Sequence, residues 1–291
     1  MGMRIVFAHT GVHYASYVDY HELVSLAGFD TCHLAEVDFT QEDTVYIITP
    51  HTGEWKPHWQ NWRKEPHKAT TIMWCLERPG KTGGIWPYVE RTKEILNEGL
   101  FDYIWLSDRW LTKMVDDSRC QFVVLGSDAR LGTLDKLPIE HDICHFSCHV
   151  HRRQKILSNI KERRVAPNGW DEERTQILRS SQLLLNIHQD DWPIIEPLRF
   201  ALAAAYGLPI ITEEITDCYP YNRIDSTQYC IQKPYHELLE YLHEMVYDDS
   251  LQAMGWRAHD LMTTEFGFRR QVDLAVGRIV SSLPLDGIII R

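Results

Sequence analysis

The sequence predicts an α/β protein with two doubly wound domains that face a central cleft. Short β-branched and aromatic runs alternate with stretches of helical periodicity, which is typical of parallel sheets covered by helices on both faces. The segment 177–214 is the clearest case, because an apolar run, a polar turn, a helix and a second apolar run make one βαβ unit. The 291 residues are enough for two domains of ordinary size.

The first half of the chain predicts five strands with helices between them. The strands are Arg4–His9, Val45–Thr49, Thr70–Cys75, Asp102–Leu106 and Gln121–Leu125, and the helices are Tyr14–Ala27, Tyr88–Asn97 and Arg109–Asp117. The stretch 126–138, which contains Gly, Ser, Asp and Pro, then reads as a loop. We therefore predict an N-terminal domain over residues 1–137.

The second half predicts a further α/β unit and a helical tail. The strands are 142–146, 182–186, 209–212 and Gln228–Gln232, and the helices are 151–163, 171–180, a helix from 196, 235–247, 249–265 and 268–283. We predict a C-terminal domain over 138–265 and a C-terminal helix in 266–291 that can cross back to the first domain.

Composition narrows the class of protein. A formal net charge of −11 disfavours general attraction to nucleic acid or anionic membranes, and no window holds the roughly eighteen consecutive apolar residues of a membrane span. Seven cysteines without a framework predict reduced thiols, and the first residues lack the features of a signal peptide. A cytoplasmic protein is expected.

A basic segment follows the first strand of the second domain. Arg152 and Arg153 open a helix there, and guanidinium groups next to helix N–H groups are suited to a diphosphate. The same segment continues with further cations, Lys155, Lys161, Arg163 and Arg164. Its other interpretation is a solvated helix face with salt bridges.

The polar turn after the strand 182–186 supplies a second set of candidates. Asn186 and His188 lie in the turn, and the next helix opens with Glu196, Pro197, Leu198 and Arg199. Turns of this kind lie at the carboxyl edge of a parallel sheet, where open α/β folds bind ligands. The alternative role of the turn is local, with an aspartate at 190 or 191 capping the helix.

Acid–base candidates lie in loops of the first domain. His9, His51 and Glu54 are predicted to act in catalysis together with His188, since histidine titrates near neutral pH and a desolvated glutamate can do so. No metal site is predicted, because the cluster of His and Cys at 141–151 runs along one strand and loop, where alternate side chains point to opposite faces.

These motifs resemble a known family. The segments 142–144, 165–170, 185–188 and 196–200, with Arg152/Arg153 and Gly207-Leu208-Pro209, look like the donor half of GT-B glycosyltransferases, nearest to the CgeB-like, group 1 branch. The resemblance is good over 140–265 and weaker over 1–137.

The resemblance implies two Rossmann-like domains and transfer of a sugar from a nucleotide-sugar donor, UDP- or GDP-linked, to an acceptor hydroxyl. It also implies retention of configuration and no obligatory metal. Arg152 and Arg153 would bind the donor diphosphate. Leu202 stands where the family has a ribose-binding glutamate, and Glu196 is expected to take over that contact.

Two alternatives accompany this hypothesis. The missing glutamate is compatible with a non-catalytic nucleotide-binding protein of the same fold. A set of aromatic residues near basic ones is compatible with a viral-type enzyme that glycosylates hydroxymethylated pyrimidines in DNA, although the acidic total charge opposes it. These aromatic residues are Trp55, Trp59, Trp62 and Trp86.

Overall fold

The chain folds into two compact units, each built on its own parallel sheet. The computed structural model describes residues 3–9, 18–49, 68–76, 85–99, 101–146, 150–169, 171–189, 191–222 and 228–282. The first unit comprises chiefly residues 20–124, with the first strand and the chain from Arg269 onward, and the second comprises chiefly residues 125–268. The alternation of strands and helices therefore predicted the fold class correctly.

The first unit contains a six-stranded sheet in the order β2-β1-β3-β4-β5-β6. Its strands are β1 Arg4–His9, β2 Asp30–His33, β3 Thr44–Ile48, β4 Thr70–Cys75, β5 Tyr103–Leu106 and β6 Cys120–Phe122, and its helices are Val18–Leu26, Ile85–Asn97, Arg109–Val115 and Phe268–Ser282. The order reverses between β1 and β3, which makes their carboxyl ends the switch point of this sheet. The sequence did not reveal β2, because it is a four-residue edge strand with two exposed residues.

Aromatic packing fills the first sheet. Trp74 on β4 and Trp105 on β5 are fully buried, with ring centroids 5.3 Å apart in an edge-to-face arrangement. Trp74 Nε1 donates to Ser107 Oγ at 3.0 Å, so its polar group is satisfied inside the core. These tryptophans are core residues of the first unit.

The second unit contains a four-stranded sheet in the order β10-β9-β8-β7. Its strands are β7 His141–Cys144, β8 Ser181–Asn186, β9 Ile210–Glu213 and β10 Ile231–Lys233, and its helices are His151–Leu157, Asp171–Arg179, Pro197–Ala205, Tyr235–Glu244 and Asp249–Asp260. A π-helical turn, Leu261–Glu265, extends the last of these. Within the described ranges, no helix has both the length and the apolar character needed to cross a membrane.

The βαβ unit predicted at 177–214 is confirmed. β8 and β9 are parallel neighbours, and the helix Pro197–Ala205 connects them. Gly207 has φ +59°, a left-handed conformation that ends the helix and that a residue with a Cβ rarely adopts. The chain then returns directly into β9, which places the ends of the two strands side by side.

The helix predicted at 151–163 is shorter in the structure, since it ends at Leu157. The Ser158 hydroxyl and the Asn159 amide donate to carbonyls of the last turn and so satisfy them. Beyond that point the chain pairs with β7, because Ala166 N donates to Ile143 O at 2.8 Å. Residues 158–163 therefore form a non-helical connection that returns the chain to the sheet at residues 164–166.

Candidate functional site

The carboxyl ends of β8 and β9 bring several of the predicted site residues together. Asn186 is the last residue of β8 and lies opposite Thr212 in the register. Its side chain is fully buried, donates to Thr212 Oγ1 at 3.0 Å and accepts from Arg199 Nη1 at 2.8 Å. Both ends of the amide are therefore occupied, and Asn186 joins β8 to β9 and to the helix that follows β8.

Arg152 reaches this edge from the helix that begins at His151. Its Nη1 donates to Glu213 Oε2 at 2.5 Å, and its Nη2 donates to Glu213 Oε1, so the guanidinium and the carboxylate form a two-pronged pair. Arg152 Nε donates to Asp191 Oδ1 at 3.1 Å. The guanidinium also lies over the Tyr235 ring, 3.8 Å from its centroid. Arg152 is thus held on two edges and on one face.

Arg153 occupies a more buried position than its neighbour. Its side chain is 2% exposed, with Nε donating to Ile187 O at 2.8 Å and Nη2 donating to Glu196 Oε1 at 3.0 Å. Buried charge of this kind is tolerated only when it is paired. Arg153 therefore fixes the polar turn and the start of the next helix to its own helix.

Glu196 connects two of the arginines. It stands immediately before the helix that begins at Pro197, as predicted, but its side chain does not cap that helix. One carboxylate oxygen accepts from Arg153, and the other accepts from Arg199 Nη1. Pro197 is buried at the first helical position, and Leu198 is half-buried beside it.

His188 is buried in the polar turn, with 1% of its surface exposed. Its Nε2 lies 3.0 Å from Glu214 O, and because a carbonyl can only accept, the proton of the neutral ring is on Nε2. Nδ1 is then an acceptor, and it has no hydrogen-bond partner among the residues that the structure describes. Burial lowers the pKa of His188 below its ordinary value, so the ring is neutral at neutral pH.

Glu213 is the central residue that sequence reasoning did not identify. It ends β9, is 6% exposed, and accepts from Arg152 and from His188 N at 3.1 Å. The available signal was its position, since a carboxylate at the carboxyl end of a parallel strand next to the βαβ turn lies where ligands bind. The alternative role of the turn was a helix cap at position 190 or 191; of these two, Asp191 pairs with Arg152.

The site is balanced in charge. Arg152, Arg153 and Arg199 are cations, and three carboxylates pair with them, from Asp191, Glu196 and Glu213. Two more distant cations of the basic segment have structural partners elsewhere. Arg163 donates to carbonyls at the end of the helix Tyr235–Glu244, and Arg164 pairs with Asp142 at 2.9 Å. Of this segment, only the first two arginines reach the β8–β9 edge in the contacts described.

The acid–base candidates of the first unit are only partly described. His9 ends β1 at the switch point, with its ring centroid 5.1 Å from that of His21 and 6.4 Å from that of His33. Burial and then the neighbouring His33 lower the pKa of His9. His51 and Glu54 lie outside the described residues, as do Trp55, Trp59 and Trp62, on which the DNA hypothesis depends.

The histidine and cysteine cluster at 141–151 is spread along β7 and the loop after it. Cys144 is buried with its Sγ 3.3 Å from Leu183 O, and His145 is also buried. Cys148 and His149 lie outside the described residues. In the described part of the chain, no three His, Cys, Asp or Glu side chains are grouped as metal ligands would be.

The fold and the arginine-rich strand edge define a class: the chain has the GT-B fold, with two Rossmann-like α/β units. Three solved structures are similar to it. A glycosyltransferase from Rickettsia africae ESF-5 is 10% identical with a TM-score of 0.58, and the match covers 97% of this chain and 100% of that one. An alpha1,3-fucosyltransferase is 8% identical with a TM-score of 0.53 over 99% and 93% of the chains. TarM is 12% identical with a TM-score of 0.53, and the match covers 81% of this chain and 54% of that one.

Comparison with the sequences of known proteins does not assign the chain to a family. A protein of Acanthamoeba polyphaga mimivirus, described as uncharacterized protein L140, is 24% identical over 135 residues. The match covers 38% of this chain and 44% of that protein, so the two share less than half of their lengths. No protein-family model matches the chain. At these identities, the similarity to solved structures establishes the fold alone.

Proposed function

We propose that the protein is a glycosyltransferase that transfers a sugar from a nucleotide-sugar donor to an acceptor hydroxyl. The observation that carries the proposal is the gathering of Arg152, Arg153 and Arg199 at the carboxyl edge of β8 and β9 in a chain of GT-B fold. That edge is where open α/β sheets bind ligands, and guanidinium groups are suited to phosphate. The donor is UDP- or GDP-linked, and the enzyme retains configuration without an obligatory metal, as in the CgeB-like branch.

In this proposal the arginines differ in role. Arg152 and Arg199, both partly exposed, contact the donor diphosphate. Arg153, which is buried, positions Glu196 and the turn. Charge grows on the diphosphate as the bond to the sugar breaks, and fixed cations stabilise such developing charge without reorganising.

The polar turn supplies the contacts to the sugar or ribose. His188 Nδ1 is a buried acceptor, so a hydroxyl of the donor sugar can reach it only when the turn opens on binding. Glu196 stands in for the family glutamate that Leu202 replaces. The acceptor is bound by the first domain, where His9, His51 and Glu54 are the candidates to orient or deprotonate its hydroxyl.

A cytoplasmic location completes the proposal. Its support is the cysteine pattern, since seven scattered cysteines without a framework are typical of reduced thiols.

The test is turnover with a panel of UDP-, GDP-, ADP- and TDP-sugars, measured as release of the nucleoside diphosphate. Wild-type protein is expected to hydrolyse or transfer at least one sugar slowly. Arg152→Ala should lower kcat/KM about 100-fold, as expected for loss of a group that stabilises transition-state charge. Arg164→Ala, which removes a cation of the same segment that pairs with Asp142, is the matched control and should keep wild-type turnover.

A second candidate is a non-catalytic nucleotide-binding protein, and Leu202 favours it, because it stands where the family has its ribose-binding glutamate. Calorimetry separates the two. Binding of a nucleotide sugar without turnover supports the non-catalytic function, and silence with the whole panel contradicts both.

A further inference from the structure

Arg152 has two carboxylate partners of different kinds. Glu213 takes the Nη1 and Nη2 edge of the guanidinium, while Asp191 takes Nε at 3.1 Å. The Glu213 side chain is 8% exposed, and the Asp191 side chain is 98% exposed. One partner is therefore part of the interior, and the other reaches the same cation from the solvent.

The two partners are held with different strength. Glu213 ends β9 and also accepts from His188 N at 3.1 Å, so the turn after β8 keeps its carboxylate in place. Within the described residues, the Asp191 carboxylate has Arg152 as its hydrogen-bond partner. Exposed ion pairs contribute little to stability, because solvent screens them and both side chains must be ordered. Of the two carboxylates, Asp191 is the one that a competing anion can displace.

The guanidinium itself does not need to move when Asp191 leaves. Its face lies on the Tyr235 ring, Tyr235 Oη donates to Arg152 O at 2.8 Å, and Nη1 also donates to His188 O at 3.3 Å. A phosphate oxygen accepts hydrogen bonds as a carboxylate oxygen does, and it carries at least as much charge. The exposed edge of Arg152 is thus already oriented for such an oxygen.

We infer that Asp191 is an internal competitor for the donor diphosphate: it occupies the exposed edge of Arg152 and is displaced when a nucleoside diphosphate binds, while Glu213 stays and positions the guanidinium. The inference rests on the proposed function, because it concerns the same donor site. On this inference, competition from Asp191 lowers the affinity of the site for the donor.

The experiment is calorimetric titration of wild-type protein and the Asp191→Asn variant with UDP, GDP and ADP, and with the parent nucleosides. Asp191→Asn removes the competing charge and is expected to bind the preferred diphosphate about two- to threefold more tightly. The gain should shrink as salt rises, because the interaction is electrostatic and exposed. Affinity for the nucleoside should stay unchanged, because it carries no phosphate. The melting temperature should also stay unchanged, since the side chain is exposed.

The matched control is Asp30→Asn, which changes the charge by the same amount and breaks an exposed pair with Arg4 in the first unit. It should leave nucleotide affinity at the wild-type value. The inference is overturned if Asp191→Asn binds the diphosphate no more tightly than wild type, or if Asp30→Asn or the nucleoside shows the same gain; wild-type binding would then leave the proposed function standing. If neither wild type nor Asp191→Asn binds any of the three diphosphates, the inference and the proposed function fail together.

Discussion

The two sheets end in different chemistry at their carboxyl edges. In the second unit, the ends of β8 and β9 carry full charges that are paired inside the protein, such as Arg153 with Glu196. In the first unit, the end of β1 meets two further histidines, and burial lowers the pKa of His9 and of His21, the latter to about 4. One edge carries fixed ion pairs, and the other carries His9 and His21, whose pKa values are lowered.

The difference has an energetic consequence. A buried ion pair is costly to break on one side, because the remaining charge is left without compensation, whereas a neutral buried ring costs stability only when it must be protonated. We therefore expect substitutions to change the free energy of unfolding most at the edge of the second unit. At the edge of the first unit, we expect pH to have the larger effect. Four measurements test this contrast, from the largest expected effect to the smallest.

Glu213→Ala is expected to lower the free energy of unfolding by about 3 kcal/mol, because it leaves Arg152 partly buried and without its two-pronged partner. Urea unfolding measures the change. Asp191→Asn, which affects the exposed partner of the same arginine, should lower it by less than about 0.5 kcal/mol. Equal effects of the two substitutions would contradict the distinction between fixed and displaceable carboxylates.

Asn186→Ala is expected to lower the free energy of unfolding by about 1–2 kcal/mol. The side chain is fully buried, and its loss removes one hydrogen bond from Arg199 and one from Thr212. Urea unfolding again gives the value. Asn159→Ala is a suitable control, since Asn159 is exposed and its amide donates only to Lys155 O at a helix end in the contacts described; an equal loss there would argue against a special role for Asn186.

Acidification should destabilise the protein through the half-buried histidines His9 and His21. His21 has a pKa lowered to about 4 by burial, with His9 next, so the unfolded chain binds its proton at a higher pH than the folded one. The free energy of unfolding is not reduced by this effect above about pH 6.5, and it falls as the pH drops toward 4. The His21 contribution at pH 5 is on the order of 1 kcal/mol after allowing for the exposed part of the ring.

The measurement is the free energy of unfolding between pH 7.5 and 4.5 in wild type and in His21→Phe. The free energy of unfolding of the variant should depend less on pH than that of wild type. At pH 7, Glu213→Ala should lower the free energy of unfolding equally in the variant and in wild type. An identical slope in both proteins would mean that His21 does not link stability to pH.

The exposed pair of Arg4 and Asp30 provides the baseline for the comparison. Their side chains are 62% and 54% exposed, and Nε lies 2.6 Å from Oδ2. Asp30→Asn should change the free energy of unfolding by less than about 0.5 kcal/mol in 0.15 M salt. A loss as large as that of Asn186→Ala would show that exposure is not what separates weak from strong pairs in this chain.

Much of the second unit follows from local sequence. The apolar runs around 183–185 and 210–211 and the Gly-Leu-Pro break between them predicted β8, β9 and the helix between them, since periodicity and turn residues act over short distances. The ends of helices were harder to predict from the sequence. The helix from His151 ends at Leu157, and the chain then turns back to pair with β7 at residues 164–166, a contact that local sequence does not reveal.

The α/β class, the βαβ unit and the arginines near its polar turn could be predicted from residue order alone, because hydrophobic periodicity and residue type are local properties. Which carboxylate each arginine pairs with could not be predicted in this way. Glu213 is 61 positions from Arg152, and they meet because β9 pairs beside β8 in one register. Pairing and burial depend on chain segments that come together only on folding, and they set which of these charges is fixed and which is free to exchange.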